Sequence, residues 1–169
     1  MTVTYEELTE RNAAFVTADE QSSLRSSAVF VCGVGGMGGA AAEALVRAGV
    51  GALALADHDR FEASNLNRQS FAFLDTLGME KTRVTREALE RINPELRIEV
   101  FDGDWVDRLD DLLVRYPVVV NGMDDVRATI RLYRKAREHG ATVIDAYTSP
   151  YPSVTVVRPD DPRPEERLR

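Results

Sequence analysis

A run of glycines between an apolar segment and an alanine-rich segment is the feature that most constrains the fold of this chain. Residues 33–38 read Gly-Val-Gly-Gly-Met-Gly; they follow the apolar run Ala28–Cys32 and precede the alanine-rich segment Ala40–Ala48. Glycines at these spacings let a strand end in a tight turn and let the next helix pack closely against that strand. We therefore predict a buried strand, a glycine turn and a helix as the first unit of a parallel α/β sheet.

Apolar runs alternate with amphipathic stretches along the rest of the chain, and this alternation predicts a parallel sheet covered by helices. A length of 169 residues suits one domain that can bury a sizeable core. The predicted fold class is α/β, a Rossmann-like doubly wound, mostly parallel sheet with helices on both faces. The predicted strands are Ala28–Cys32, Ala52–Ala56, Arg97–Phe101, Val118–Val120, Thr142–Ala146 and Val154–Val157. The predicted helices after the glycine turn are Ala40–Ala48, Met79–Ile92, Val106–Arg115 and Asp124–His139.

The composition argues against several classes of protein. The chain has 21 Lys and Arg against 28 Asp and Glu, a net charge of −7, so we do not expect nucleic acid as a partner. Its one cysteine, Cys32, has no neighbour at CxxC spacing, so we expect no zinc. The N-terminus lacks the profile of a secretory signal, and no apolar run is long enough to span a bilayer. We expect a cytoplasmic protein without a membrane segment.

An acidic residue follows the second predicted strand at a position that suits a nucleotide. Gly33 allows the tight turn, Gly35 lets the backbone approach a phosphate, and the N-terminal amides of the next helix face that anion. Asp57 lies 19 residues after Gly38, where its carboxylate can accept hydrogen bonds from ribose hydroxyls. On these residues alone, NAD and ATP fit equally well.

The polar segment 57–69 favours ATP over a dinucleotide. A dinucleotide-binding fold normally continues from the ribose acid directly into a helix, whereas this segment is irregular and polar. Arg68 can bind phosphate oxygens through two hydrogen bonds. Asn65 and Gln69 supply neutral amide donors to the same group. The segment therefore indicates a triphosphate site.

Several short motifs together resemble the ThiF/MoeB/HesA family, the adenylating relatives of ubiquitin-activating enzymes. The resemblance covers roughly residues 11–150 and is far more specific than a glycine motif by itself. The matching pieces are the glycine run at residues 33–39, RAGVG at 47–51, LADHD at 55–59, SNLNRQ at 64–69, GMEK at 78–81, RINP at 91–94 and NGMDD at 121–125.

The resemblance implies ATP-dependent activation of a carboxylate as an acyl-adenylate, with release of pyrophosphate. ATP and Mg²⁺ would be the cofactors, with Asp124 as the metal ligand. The implied catalytic residues are Arg68, Lys81, Asp124 and Arg11, of which Arg11 would come from the N-terminal segment of a partner subunit. The implied nucleotide-binding residues are Gly33, Gly35, Gly36, Gly38, Asp57, Asp59, Asn65 and Gln69.

The resemblance also implies partners and a domain organisation. The protein would be a homodimer, and its substrate would be the C-terminus of a small ubiquitin-like or sulfur-carrier protein, a peptide or a small-molecule carboxylic acid. Residues 1–27 would form an N-terminal helical segment and residues 28–157 the ATP-binding adenylation domain. Residues 158–169 would form a charged, proline-rich tail, either the protein's own end or the mark of a truncated C-terminus.

Other interpretations of these residues remain. Asp124 could cap the helix that follows it, with Asp125 competing for either role, and Arg11 could be an ordinary surface arginine. Family members that form thioesters use a cysteine beyond the nucleotide domain, which this sequence lacks, so the resemblance supports activation but not transfer. The alternative functions are an NAD-dependent oxidoreductase and a non-catalytic nucleotide-binding scaffold. A tRNA-modifying relative is a further alternative, which the net charge of −7 disfavours.

Overall fold

A computed structural model describes residues 3–147 and 153–162 of the chain. In these residues no helix is both long and apolar enough to cross a membrane. The strands are β1 (Ala28–Cys32), β2 (Ala52–Ala56), β3 (Arg97–Phe101), β4 (Val118–Asn121), β5 (Thr142–Tyr147) and β6 (Ser153–Val157). The helices are α1 (Tyr5–Thr9), α2 (Ala18–Ser26), α3 (Gly36–Ala48), α4 (Lys81–Glu90), α5 (Leu109–Arg115) and α6 (Val126–Glu138). Short 3₁₀ turns lie at Glu10–Ala14, Ala63–Asn65 and Leu74–Thr76.

The strands form one sheet in the order β3-β2-β1-β4-β5-β6, which confirms the predicted fold class. Neighbouring strands from β3 to β5 are parallel, and β6 pairs antiparallel with β5. Alternate residues of β1 enter two different cores because successive side chains of a strand point to opposite faces. Val29 and Val31 pack in the core beneath α3 and α4, whereas Phe30 and Cys32 pack in the core beneath α5 and α6. Helices therefore cover both faces of the sheet.

Three helices begin later than the sequence predicts, each because of a specific contact at its start. Glu80 forms an isolated bridge with Arg60, so α4 begins at Lys81 rather than at Met79. A turn, in which Asp107 N–H donates to the carbonyl oxygen of Asp104, delays α5. The Asp125 carboxylate caps α6, which therefore begins at Val126 rather than at Asp124.

The N-terminal segment packs at the carboxyl end of α3, near the amino edge of the sheet. The Tyr5 hydroxyl donates to the Gly49 carbonyl oxygen at 2.8 Å. The Asn12 side-chain amide donates to the Ala48 carbonyl oxygen at 3.1 Å. The division at residues 27 and 157 stays a prediction, and residues 1, 2 and 163–169 of the two predicted terminal segments lie outside the described residues.

The core beneath α5 gives a test of the fold. Leu112 is fully buried on α5, and we expect Leu112→Ala to lower the free energy of unfolding by about 2–5 kcal/mol, because it removes buried methyl groups and leaves a cavity. Val114 lies two residues further on and is 69% exposed, so Val114→Ala is the matched control. We expect it to change the free energy of unfolding by about 0.5 kcal/mol or less. Urea unfolding followed by circular dichroism measures both. Equal effects of the two substitutions would contradict this placement of α5.

Candidate nucleotide-binding site

The glycine turn joins β1 to α3 through backbone contacts that leave no room for side chains. Gly33 has a φ of +81°, and its N–H donates to the Ala56 carbonyl oxygen at 2.7 Å. A Cβ atom on Gly38 would lie 1.8 Å from the Gly33 carbonyl oxygen. Helix α3 therefore begins at Gly36, directly over the carboxyl end of β1 and earlier than the predicted start at Ala40.

The loop after β4 packs against the same turn. Gly122 N–H donates to the Cys32 carbonyl oxygen at 2.7 Å. A Cβ atom on Gly122 would lie 2.6 Å from the Gly33 carbonyl oxygen and 2.9 Å from the Gly38 Cα. The order of the strands reverses between β1 and β4, and the crevice at such a reversal is where α/β sheets bind ligands.

Asp57 holds the glycine turn to the end of β2. One of its carboxylate oxygens accepts from Val34 N–H and the other from Asp59 N–H, both at 2.9 Å. The carboxylate thus binds two backbone amides from two loops. Each oxygen keeps a further lone pair that can accept from a ribose hydroxyl. Contact of Asp57 with a ribose stays a prediction.

Lys81 is a buried cation that pairs with Asp59. Its Nζ lies 2.8 Å from Asp59 Oδ2, and its side chain is 7% exposed against 52% for Asp59. The hydrogen bond from Lys81 is the main cause that lowers the pKa of Asp59, and it outweighs the opposing effect of burial. The structure therefore places Lys81 beside a carboxylate that faces solvent. The predicted contact of Lys81 with the phosphates stays a prediction.

Arg68 and Gln69 meet the glycine turn from the other side. A Cβ atom on Gly36 would lie 3.7 Å from Arg68 Cγ, and one on Gly35 would lie 3.6 Å from Gln69 Nε2. Arg68 is exposed; its guanidinium donates to the carbonyl oxygen of Ser64 at 2.8 Å, and it forms no ion pair among residues 3–147 and 153–162. Gln69 is buried, and its Oε1 has no hydrogen-bond partner in the described part of the chain.

Asn65 shapes the turn that presents Arg68. It is buried, and its Oδ1 accepts from Glu62 N–H at 3.0 Å. Its backbone carbonyl accepts from both Arg68 N–H and Gln69 N–H. The structure thus shows Asn65 holding the loop, and the predicted contact with the triphosphate stays a prediction.

Asp124 and Asp125 have different surroundings after β4. The Asp125 Oδ1 accepts from Arg127 N–H and Ala128 N–H, at 2.7 and 3.1 Å, and so caps α6. Asp124 is exposed and does not serve as that cap. Its assignment as a metal ligand stays a prediction.

A compact group of potential ligand atoms lies instead after β2. Single atoms of Asp57, His58 and Asp59 lie within 4.8 Å of one another. Asp124 is not part of this group. The one metal ligand that the resemblance implies, Asp124, therefore lies outside this group of described residues.

Arg11 lies far from the glycine turn of its own chain. It is exposed in the 3₁₀ turn Glu10–Ala14, next to Asn12, which binds the carboxyl end of α3. Helix α3 has 13 residues and is therefore about 20 Å long. The structure does not bring Arg11 into the site of the same chain.

A buried polar cluster beside the crevice escapes the sequence analysis. Asn121 at the end of β4 donates to Asp145 on β5 and to Thr129 on α6, and the Tyr133 hydroxyl also donates to Asp145. Asn121 is 3% and Asp145 2% exposed. The available signal was an acid within the apolar strand Thr142–Tyr147, which requires buried partners.

The Lys81–Asp59 pair predicts a pH-dependent contribution to stability. At pH 7 we expect Asp59→Asn to lower the free energy of unfolding by about 1 kcal/mol, since it leaves the Lys81 ammonium without its carboxylate while Asp59 itself is half exposed. The pKa of Asp59 is lower in the folded protein, so the contribution is present above the unfolded pKa, about 3.9, and disappears as the pH falls through the folded value. Urea unfolding from pH 7 to pH 3 measures it.

A surface ion pair provides the control for this measurement. Arg83 and Glu87 pair on the exposed side of α4, so Glu87→Gln should change the free energy of unfolding by only about 0.5 kcal/mol or less. An Asp59→Asn effect no larger than this control, or one that grows towards acid pH, would contradict the role of the pair.

Comparison with known proteins agrees with the motifs. The ThiF family matches residues 9–166. The tRNA threonylcarbamoyladenosine dehydratase of Haemophilus influenzae is 35% identical over 131 residues, which cover 76% of this chain and 50% of that protein. The molybdopterin-synthase adenylyltransferase of the same organism is 35% identical over 121 residues, which cover 71% and 50%. The chain thus spans about half the length of these curated relatives.

A solved structure has the same fold. The crystal structure of the Escherichia coli tRNA N6-threonylcarbamoyladenosine dehydratase in complex with ATP matches with a TM-score of 0.79 and 30% identity, over 86% of this chain and 61% of that one. This similarity confirms the predicted fold, and the family match confirms the predicted family. The chain belongs to the ThiF family.

Proposed function

We propose that this protein is an ATP-dependent adenylyltransferase that activates a carboxylate as an acyl-adenylate and releases pyrophosphate. The observation that carries the proposal is the meeting of Arg68 and Gln69 with the glycine turn at the start of α3. Membership of the ThiF family, the similarity to molybdopterin-synthase adenylyltransferases and the ATP complex of a solved relative support it.

The start of α3 suits the phosphates of ATP. Gly35, the residue before the helix, provides no side-chain cap, so the first amides of α3 are available to an anion. The Arg68 stem lies over Gly36, from where its guanidinium can reach the same oxygens. The Gln69 Nε2, which would lie 3.6 Å from a Cβ atom on Gly35, is an amide donor beside the start of the helix and would donate to a phosphate oxygen.

The end of β2 suits the ribose. Asp57 already holds two backbone amides, so we assign the ribose hydroxyls chiefly to Asp59, whose carboxylate faces solvent. Lys81 Nζ keeps two donors beyond its bond to Asp59 and would direct them to a phosphate. Asp57 would then act mainly by fixing the glycine turn.

The proposed reaction needs charge neutralisation rather than a nucleophile from the protein. An oxygen of the substrate carboxylate forms a bond to the α-phosphorus, the bond to the bridging oxygen breaks, and pyrophosphate leaves with the electron pair. Arg68 and Lys81 would stabilise the charge that develops on the phosphates. Mg²⁺, which Asp124 would help to hold, supplies further neutralisation when bound. Cys32 is fully buried, and burial raises the pKa of its thiol well above the usual value, so it does not serve as a nucleophile.

The carboxylate has two candidate kinds of source: a protein, peptide or small acid as the first, and tRNA as the second. The similarity to molybdopterin-synthase adenylyltransferases favours the C-terminus of a small carrier protein or peptide, and a small-molecule acid remains compatible. The similarity to tRNA threonylcarbamoyladenosine dehydratases favours a carboxylate borne by tRNA. The net charge of −7 favours the first source, and we place the activity in the cytoplasm on the composition of the chain.

Carboxylate-dependent exchange of labelled pyrophosphate into ATP tests the proposal. We expect exchange in the wild type with Mg²⁺ and a loss of about 100-fold in Arg68→Ala, because an uncompensated phosphate charge then develops in the transition state. Arg83→Ala is the matched control, since Arg83 lies on the exposed side of α4 paired with Glu87, and it should leave the exchange rate unchanged.

Each alternative function has its own outcome in these measurements. Binding of ATP without exchange, for carrier-protein C-termini, small acids and tRNA-borne carboxylates alike, would indicate a non-catalytic scaffold. Tighter binding of NAD than of ATP, insensitive to Arg68→Ala, would indicate an oxidoreductase. Exchange that depends on tRNA alone would assign the second substrate source.

We further propose a homodimer in which Arg11 reaches the site of the partner subunit. Arg11→Ala and Arg68→Ala should each be nearly inactive in exchange. After the two variants are mixed and allowed to exchange subunits, activity should return to about a quarter of the wild-type value, since half of the dimers then hold one intact site. No recovery on mixing, with mixed dimers verified by mass spectrometry, would exclude an Arg11 supplied by the partner.

A further inference from the structure

The buried polar cluster beside the crevice contains an amide, that of Asn121, which both donates and accepts hydrogen bonds. Asn121 Nδ2 donates to Asp145 Oδ2 and to Thr129 Oγ1, each at 3.2 Å. Asn121 Oδ1 accepts from Met123 N–H at 3.2 Å. An amide offers a donor and an acceptor in one planar group, whereas a carboxylate only accepts. The identity of residue 121 as asparagine is therefore matched to the carboxylate beside it.

The amide fixes the loop that contacts the glycine turn. The bond to Met123 N–H holds the backbone two residues beyond β4. Gly122, between them, lies against Gly33 and Gly38 so closely that a Cβ atom would not fit. A shift of this loop by a few tenths of an ångström would therefore move the start of α3, where the phosphates would bind.

We propose that Asn121 is a positioning residue for ATP, whose amide, anchored on Asp145 and Thr129, holds the loop Gly122–Asp125 against the glycine turn. The inference rests on the proposed binding of ATP. It adds a buried residue that contacts no ligand and that acts through the backbone of the loop after β4.

Exchange of the amide and the carboxylate tests the proposal. Asn121→Asp keeps an acceptor for Met123 N–H, but it removes the donor to Asp145 and places a second carboxylate about 3 Å from the first. The repulsion between the two buried carboxylates displaces the side chain of residue 121, and the loop moves with it. We expect about tenfold weaker ATP binding or more, measured by isothermal titration calorimetry on the full chain. The double variant Asn121→Asp/Asp145→Asn restores an amide–carboxylate pair with the roles exchanged, and its affinity should return to within about threefold of the wild type.

A second buried asparagine provides the control. Asn93 is also 3% exposed, and its Oδ1 also accepts a backbone N–H, that of Glu95 at 3.0 Å. It lies between α4 and β3, at the opposite edge of the sheet from the crevice. Asn93→Asp should leave the affinity for ATP unchanged, whatever it does to the melting temperature. A purely structural role of Asn121 predicts that affinity follows stability in both variants.

The outcomes separate this inference from the proposed function. Failure of the wild type to bind ATP would contradict both the proposed function and the positioning role of Asn121. A wild type that binds ATP, with unchanged affinity in Asn121→Asp or with no recovery in the folded double variant, overturns the positioning role alone. Should Asn121→Asp fail to fold, the isosteric Thr129→Val, which removes one anchor, is expected to bind about threefold more weakly. Unchanged affinity in that variant would likewise overturn the proposal.

Discussion

Backbone contact among three glycines is the constraint on which the candidate site depends. Gly38 and Gly122 both lie against Gly33, at distances that exclude a Cβ atom. Because no side chain separates them, α3 begins directly at the end of β1, and the loop after β4 touches the same turn. The first amides of the helix consequently face the crevice where the strand order reverses. The backbone of the three glycines would thus set the position of the proposed phosphate site.

The charged residues around this frame divide into two kinds. Asp57 is satisfied by backbone amides and acts within the protein. Lys81 is buried with Asp59 as its partner, and a buried ammonium with spare donors gains from a further anion. Arg68 contrasts with Arg83, which pairs with a glutamate on its own helix: among the described residues Arg68 binds only the loop that carries it. A cation held in place by its own loop beside a helix N-terminus keeps its charge for a ligand.

The sequence predicts the strands better than the starts of the helices, for a physical reason. Strand limits follow from apolar runs that end at a glycine or an acid, and these signals are local, as at Cys32 and Ala56. The start of α4 depends on the bridge between Arg60 and Glu80, which are 20 residues apart. A similar long-range dependence explains the site. Sequence patterns place Asp57 at the end of a strand, but its partner Val34 lies 23 residues away and becomes visible only in the fold.

The position of Arg11 is likewise visible only in the fold. Sequence similarity suggests a role for it but does not show that α3 separates it from the glycine turn. With Asn12 bound at the carboxyl end of α3 and the proposed phosphate site at its start, Gly36, about 20 Å of rigid helix would lie between Arg11 and the phosphates. No side-chain rotation closes such a gap. In the proposed homodimer a two-fold axis would close the gap reciprocally, because an operation that carries one Arg11 into the partner's crevice returns the partner's arginine to the first. Dimerisation would then be part of the chemistry rather than an addition to it.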